Sequence, residues 1–156
     1  MLAHDSTTLL ENAPKRVLMT ADTVGGVWTY AMQLARALRI YDVQIILATM
    51  GAPLNADQRQ EAETLDNLQI CQSNYKLEWM PEPWRDVSMA GQWLLSLEER
   101  FEPDVIHLNG YSHGNLAWSA PVLMAGHSCV LSWWSAVKKE EAPECWNTYR
   151  ENVGHG

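Results

Sequence analysis

The first residues whose types and spacing suggest chemistry form a glycine loop, Asp22-Thr23-Val24-Gly25-Gly26, between an apolar run and a helical pattern. The first amides of a helix have no partner within the helix, and the helix dipole favours an anion there. The loop is neither the GxGxxG dinucleotide fingerprint nor a Walker loop, because no Lys-Ser/Thr pair follows it. Two interpretations stay open: a loop that binds phosphate, or a tight turn that needs a positive φ.

Two further loops place polar side chains directly after predicted strands. They are Asn109-Gly110-Tyr111-Ser112-His113-Gly114 and Gly126-His127-Ser128. In open parallel sheets, ligands bind beyond the carboxyl ends of the strands, where the strand order reverses. We therefore predict that His127 contacts a ligand, whereas for His113 a ligand contact and a structural hydrogen bond both stay open. His107 lies inside a strand and is predicted to be a core histidine.

The elements that must position these loops alternate along the chain. Apolar runs at 16–21 and 43–49 predict buried strands, and further strands are predicted at 68–71, 104–108 and 121–125. Helices are predicted after the glycine loop and at 55–65, 86–101 and 144–153, with a short one ending near Trp118. The first helix should bury one apolar face: Val27, Tyr30, Ala31, Leu34, Ala35 and Leu38. This order predicts an α/β fold, a doubly wound, Rossmann-like parallel sheet with helices on both faces.

Composition narrows the class of protein. The chain has 156 residues, of which 47% are hydrophobic and 19% charged, as in an ordinary globular domain. With 11 basic and 19 acidic residues, the net charge of −8 argues against a nucleic-acid surface and against anchoring to anionic lipid. No apolar run is long enough to span a bilayer. Of the 8 Trp residues we expect most to fill the core.

Several kinds of site are not indicated. No His, Cys and Asp group has the spacing of metal ligands, and no serine lies in a GxSxG elbow. Cys71, Cys129 and Cys145 form no CxxC pair and are expected to be free thiols. The first 14 residues are polar and aperiodic, which predicts a mobile lead-in without a secretion signal and hence a cytoplasmic protein.

Three stretches together resemble a known family. RVLMTADTVGGVWTYAMQLARAL, DVIHLNGYSHG and AGHSCVLSWW, with the segment around Pro143 to Glu151, are similar to the N-terminal half of retaining glycosyltransferases of the two-domain GT-B fold. That group includes bacterial glycogen synthases. The likeness covers nearly the whole chain from Arg16 onward.

The resemblance implies roles for particular residues. The amides of Gly25 and Gly26 would lie near the donor diphosphate, and His127 would contact the transferred sugar as the catalytic residue. Four residues would line the acceptor or sugar side: Asn109, Tyr111, His113 and Ser128. Trp133 and Trp134 would shape the acceptor region, with core packing as the alternative. Such enzymes transfer a hexose from a nucleotide diphosphate sugar with retention, without a bound metal and without a cofactor.

The sequence is shorter than the members of this family. The half that binds the nucleotide sugar is absent, and residues 15–156 read as an N-terminal, acceptor-side domain cut short by one strand. We therefore expect the chain alone to be inactive, although its resemblance is to an enzyme. The resulting sheet edge predicts a homo-oligomer or a partner chain that carries the C-terminal half.

Two other functions stay open at this stage. One is a non-catalytic module that binds a sugar, a phosphate or another protein. The other is a small flavodoxin-like nucleotide binder.

Overall fold

The computed structural model describes residues 13–156, so the predicted lead-in at 1–14 lies almost wholly outside the described residues. Strands and helices alternate along that part of the chain as follows: β1 (Arg16–Asp22), α1 (Val27–Leu38), β2 (Gln44–Met50), α2 (Ala56–Glu63), β3 (Leu68–Gln72), α3 (Trp84–Phe101), β4 (Val105–Leu108), β5 (Val122–Met124), α4 (Val130–Trp133) and α5 (Asn147–His155). A π-helical turn, Trp134–Lys138, continues α4, and a 3-10 turn, Glu144–Trp146, precedes α5.

All five strands form one parallel sheet in the order β3-β2-β1-β4-β5. The predicted α/β class and doubly wound sheet are therefore confirmed. Strand order reverses between β1 and β4, which are hydrogen-bonded neighbours with Leu18 opposite Ile106. Beyond the carboxyl ends of these two strands lie the glycine loop and the Asn109 loop, so the topology brings the predicted loops together.

The core consists of two layers because successive strand side chains point to opposite faces of the sheet. On one face, Met19 and Leu47 pack against Ala31 and Ala35 of α1. On the other face, Leu18, Ile46 and Ile106 pack against Leu94 and Leu97 of α3. Both faces are covered, as a parallel sheet requires.

The buried face of α1 differs from the prediction. Its buried residues are Trp28, Ala31, Met32 and Ala35, whereas the other predicted positions are only half-buried. The Trp28 side chain is buried because its indole N–H donates to Glu61 on α2 at 2.9 Å, so its polar atom has a partner. Among residues 13–156 Trp28 is the only buried tryptophan, and Trp93 and Trp118 pack half-buried against the core. Fewer tryptophans than the expected majority therefore contribute to the core.

The helix predicted to end near Trp118 is absent, and residues 111–116 form successive turns. The amides of Tyr111 and Ser112 donate to the Glu78 carboxylate, which holds the first of these turns. The indole of Trp118 donates to the carbonyl of His113 at 2.9 Å, which closes the segment.

Candidate functional site

A cleft lies beyond the carboxyl ends of β1, β2 and β4 and reaches the loop after β5. It brings together five of the seven predicted site residues: Asn109, Tyr111, His113, His127 and Ser128. The other two, Gly25 and Gly26, lie beside it, between the lining residues Asp22 and Val27.

His127 is held by a chain of hydrogen bonds that begins on β1. Asn109 donates through Nδ2 to the carbonyl of Thr20 at 2.7 Å, and its backbone N–H donates to Thr20 Oγ1 at 2.9 Å. The carboxamide is thereby fixed with Oδ1 facing His127, whose Nε2 lies 2.8 Å away. Since an amide oxygen only accepts, neutral His127 carries its proton on Nε2. Of the described residues, none bonds to Nδ1, so that nitrogen is free to meet a ligand.

The aromatic ring of Tyr30 supports two histidines. It lies edge-on to His127, with ring centroids 4.7 Å apart, and its hydroxyl lies 3.3 Å from Nε2 of His107. His107 is buried within β4, as predicted, and desolvation lowers the pKa of its imidazole. At neutral pH His107 is therefore an uncharged part of the support beneath His127.

The hydrogen bond of His113 is mainly structural. Its Nε2 lies 3.0 Å from the carbonyl of Val87 on α3, so it donates there and Nδ1 is the unprotonated nitrogen. Desolvation lowers the pKa of His113, although the Val87 carbonyl and the charge of Glu78 act in the opposite direction. Because the ring also lines the cleft, its predicted place on the acceptor side stays a prediction.

The glycine loop is already occupied by a carboxylate of the same chain. Asp22 Oδ1 accepts from the amide of Gly25 at 2.7 Å and from that of Val24 at 3.2 Å. Neither glycine has a positive φ, which among the described glycines only Gly51 adopts, so the turn interpretation is wrong. A Cβ at Gly25 would lie 3.3 Å from Asp22 Oδ1, so glycine there permits this close contact.

A second carboxylate, Glu78, was missed by the sequence analysis. It lies in the loop after β3, and it accepts from the amides of Ser112 at 2.8 Å and Tyr111 at 3.2 Å. The rule that pointed to the loops after the other strands also applies to the loop after β3, and it is the signal that could have found Glu78. The same loop contributes Lys76 and Trp79 to the cleft.

The cleft therefore carries a negative formal charge. Its charged lining residues are Asp22, Glu78 and Lys76, and the Lys76 ammonium donates to the carbonyl of Pro81 at 2.9 Å. Burial raises the pKa of Tyr111, and the nearby Cys129 and Glu78 add to the shift, so its phenol stays protonated at neutral pH.

Two negative findings concern the part of the chain that the structure covers, residues 13–156. There, no group of three or more His, Cys, Asp or Glu side chains is arranged to hold a metal ion. Nor does this part contain a helix with both the length and the apolar character that a bilayer crossing needs. Cys71, Cys129 and Cys145 are free thiols, as predicted.

Comparison with known proteins agrees with this architecture. Residues 25–151 match a family model described as a glycosyl transferase 4-like domain. No curated protein sequence matches the chain.

Solved structures of similar fold include two larger proteins. One is LpCGTa in complex with UDP, with 14% identity and a TM-score of 0.52 over 81% of this chain and 34% of that one. Another is a UDP-glucosyltransferase from Polygonum tinctorium, with 13% identity and a TM-score of 0.47 over 81% of this chain and 32% of that one.

The chain thus spans about a third of the length of these structures. Its parallel sheet, with the cleft at the point of strand reversal, is that of the N-terminal domain of a GT-B glycosyltransferase. Because the family model covers most of the sequence, the chain belongs to the glycosyl transferase 4-like domain family.

Proposed function

We propose that this chain is the acceptor-side domain of an enzyme that transfers a hexose from a nucleotide diphosphate sugar to a hydroxyl group, with retention. The observation that carries the proposal is the fixed imidazole of His127 at the strand reversal of a chain in this family. LpCGTa, one of the proteins of similar fold, was solved in complex with UDP, which supports a nucleotide sugar as the donor.

In this proposal His127 contacts the transferred sugar. Its Nε2–H is engaged by Asn109, so Nδ1 is the atom that meets a sugar hydroxyl or the reacting centre. The acceptor oxygen forms a bond to the anomeric carbon while the bond from that carbon to the diphosphate oxygen breaks. The nucleoside diphosphate leaves with the electron pair and takes up the proton of the acceptor hydroxyl on its departing oxygen. Attack and departure occur on the same face of the sugar, so the configuration is retained.

The donor diphosphate is proposed to lie near Gly25 and Gly26, where a helix begins. The diphosphate can bind the Gly25 amide only if the Asp22 carboxylate turns away, because that carboxylate accepts from the amide at 2.7 Å. The cost of this rearrangement has to be met by cationic groups, and these belong to a donor-binding domain outside this chain. Preorganised positive groups and amides then stabilise the departing diphosphate, and the reaction uses neither a metal nor a cofactor.

The chain alone is proposed to be inactive. Its partner is a donor-binding half, and we propose that the protein works in the cytoplasm. An alternative is a module that binds ligand without turnover. It also predicts no activity for the isolated chain, so the two functions give different results only when the second half is present.

The direct test incubates the purified chain with UDP-, ADP- and GDP-linked hexoses and a panel of hydroxyl acceptors. We expect no product above a blank without protein. Turnover by the 156-residue chain would contradict the assignment of the donor site to another domain.

A further inference from the structure

A trough lined by aromatic side chains opens next to the cleft. Its walls come from α4, the π-helical turn, the 3-10 turn and α5, and we call it the tryptophan trough, lined chiefly by Val130, Trp133, Trp134, Trp146 and Tyr149. Trp79, Ser128 and Cys129 complete the lining at the end that faces the cleft. The lining contains no Asp, Glu, Lys, Arg or His side chain.

The trough has a fixed floor and an open wall. The ring of Tyr149 is buried, and it lies perpendicular to Trp146 with centroids 5.6 Å apart. Its hydroxyl accepts from the amide of Val130 at 3.3 Å, which ties α5 to α4. Trp133, by contrast, is 48% exposed and perpendicular to Trp134 at 5.8 Å. Core packing is therefore wrong as an account of Trp133. The Lys138 ammonium lies 5.7 Å from the ring centroid over one face of the indole, and the rest of the exposed side chain is open to a ligand.

The trough and the cleft are continuous. Trp79 and Ser128 line both, and Ser128 directly follows His127 in the chain. A single molecule can therefore lie in the trough and present one end to His127. This arrangement favours a small molecule that takes part in the reaction, and it disfavours an unrelated binding partner.

The charges at the cleft end restrict that molecule further. The amides of Gly25 and Ser112, which an anion would use, are bonded to Asp22 and Glu78. An anionic acceptor would have to displace Glu78 from the Ser112 amide, and it would lie close to the donor diphosphate proposed at Gly25, so that like charges would repel in a partly enclosed site.

The lining of the trough also restricts how polar the bound molecule can be. Apart from indole N–H groups, its lining offers little more than the Ser128 hydroxyl and the Cys129 thiol as polar side-chain groups. A sugar ring placed there would find few protein partners for its hydroxyls and would contact the indoles mainly through its C–H groups. A flat apolar ring instead gains dispersion and stacking against the indoles.

We propose that the acceptor of this site is an uncharged compound with a flat apolar ring system and a hydroxyl group, its rings in the tryptophan trough and its hydroxyl at His127. This inference rests on the proposed function, because it names the acceptor class for the same site.

The test measures binding to the full chain without any sugar donor, so its failure is distinguishable from a failure of the transfer assay. The indole N–H signals of the eight tryptophans are recorded by NMR and assigned with single Trp→Phe variants. The probes are 2-naphthol, its anionic analogue 2-naphthalenesulfonate, and maltose. We expect 2-naphthol to shift the signals of Trp133, Trp134 and Trp146, the sulfonate to bind about tenfold more weakly, and maltose to leave them unchanged.

A matched pair of variants locates the site. Trp133→Ala should weaken 2-naphthol about tenfold, whereas Tyr41→Ala, which removes an exposed aromatic ring elsewhere, should not. Equal binding of the sulfonate, shifts with maltose, or no shift with 2-naphthol in the wild-type chain would each overturn the proposal. The wild-type measurements decide the outcome even if a variant fails to fold.

Discussion

At the scale of single residues, the site depends on how His127 is oriented. Two bonds from Asn109 to Thr20 fix the carboxamide, and the carboxamide in turn fixes which ring nitrogen of His127 carries the proton. In the proposed site Asn109 is thus a positioning residue, because it would act on a ligand through the histidine.

Replacing Asn109 should change the protonation site of His127. In the wild-type chain, the ring ¹⁵N shifts of neutral His127 should report a proton on Nε2. Asn109→Leu removes the acceptor, so we expect a mixture of the two tautomers. Asn115→Leu, an exposed asparagine in the same loop, is the control and should leave the wild-type spectrum unchanged. An Asn109→Leu spectrum identical to that of the wild type would contradict the positioning role.

Buried histidines predict how stability changes with pH. Desolvation lowers the pKa of His113 in the folded state, so the unfolded chain binds the proton more readily below about pH 6.5. The free energy of unfolding should therefore fall as the pH drops from 6.5 towards the folded-state pKa, and level off below it. His107, also with a lowered pKa, contributes in the same direction.

Urea unfolding between pH 7.5 and 5 measures this effect. His113→Gln keeps a donor for the Val87 carbonyl but cannot titrate, so its unfolding midpoint should depend less on pH than that of the wild type. His155→Gln, near the end of the last helix and exposed, is the control and should keep the wild-type dependence. Equal pH dependence in wild type and His113→Gln would show that folding does not lower the pKa of His113.

Residue types alone located His127, Asn109 and the histidine of β4, because strand ends in a parallel sheet converge on one edge. They did not reveal that Asp22 and Glu78 occupy the amides of the neighbouring loops. For Glu78 this contact joins residues 34 positions apart, and no local pattern encodes such a distant pairing.

At the scale of elements, a buried carboxylate ties α3 to the segment that enters β5. Glu98 is only 8% exposed, and one of its oxygens accepts from the amides of Ser119 and Ala120, each at 2.9 Å. β5 has only three residues, so this contact supplies much of what holds its entry in place.

Removing that carboxylate should destabilise the domain. We expect Glu98→Ala to cost about 2–3 kcal/mol, because two part-buried amides lose the carboxyl oxygen that accepts from them. Glu98→Gln should cost less, since its amide oxygen still accepts. Glu99→Ala, the exposed neighbour, should change the free energy of unfolding by less than about 0.5 kcal/mol. Chemical denaturation measures all three, and equal values for the 98 and 99 variants would contradict the role of Glu98.

Strands and helices with strong periodicity were predictable within one or two residues, as β1, β2 and α3 show. The turns that replace the helix before Trp118 were not, because they are held by contacts with Glu78, 33 and 34 positions away, which no local pattern encodes. The buried face of α1 also differed from the prediction, because the indole of Trp28 hydrogen-bonds to Glu61 on α2.

At the scale of the whole molecule, the open margin of the sheet beside β5 leaves apolar side chains in water. Val122 is 41% exposed and Leu123 is 55% exposed. Edge strands of this kind promote pairing with another chain.

We therefore expect the isolated chain to self-associate through β5. Light scattering at micromolar concentration should give the mass of a dimer or larger oligomer, and Leu123→Lys should shift it towards the monomer. Ile40→Lys, which places the same charge at a residue that is 76% exposed elsewhere, should leave the mass unchanged. A monomer mass for the wild-type chain would contradict the expectation.

The central claim is that His127 belongs to one half of a glycosyl-transfer site that a donor-binding domain completes. The most direct test searches the coding region and its flanks for a donor-binding half, joins that half to this chain, and measures hexose transfer from nucleotide sugars. We predict no transfer by the chain alone, transfer by the joined protein, and a loss of about 100-fold in kcat for His127→Ala but none for His155→Ala. Transfer by the chain alone, or undiminished transfer by the joined His127→Ala protein, would contradict the claim.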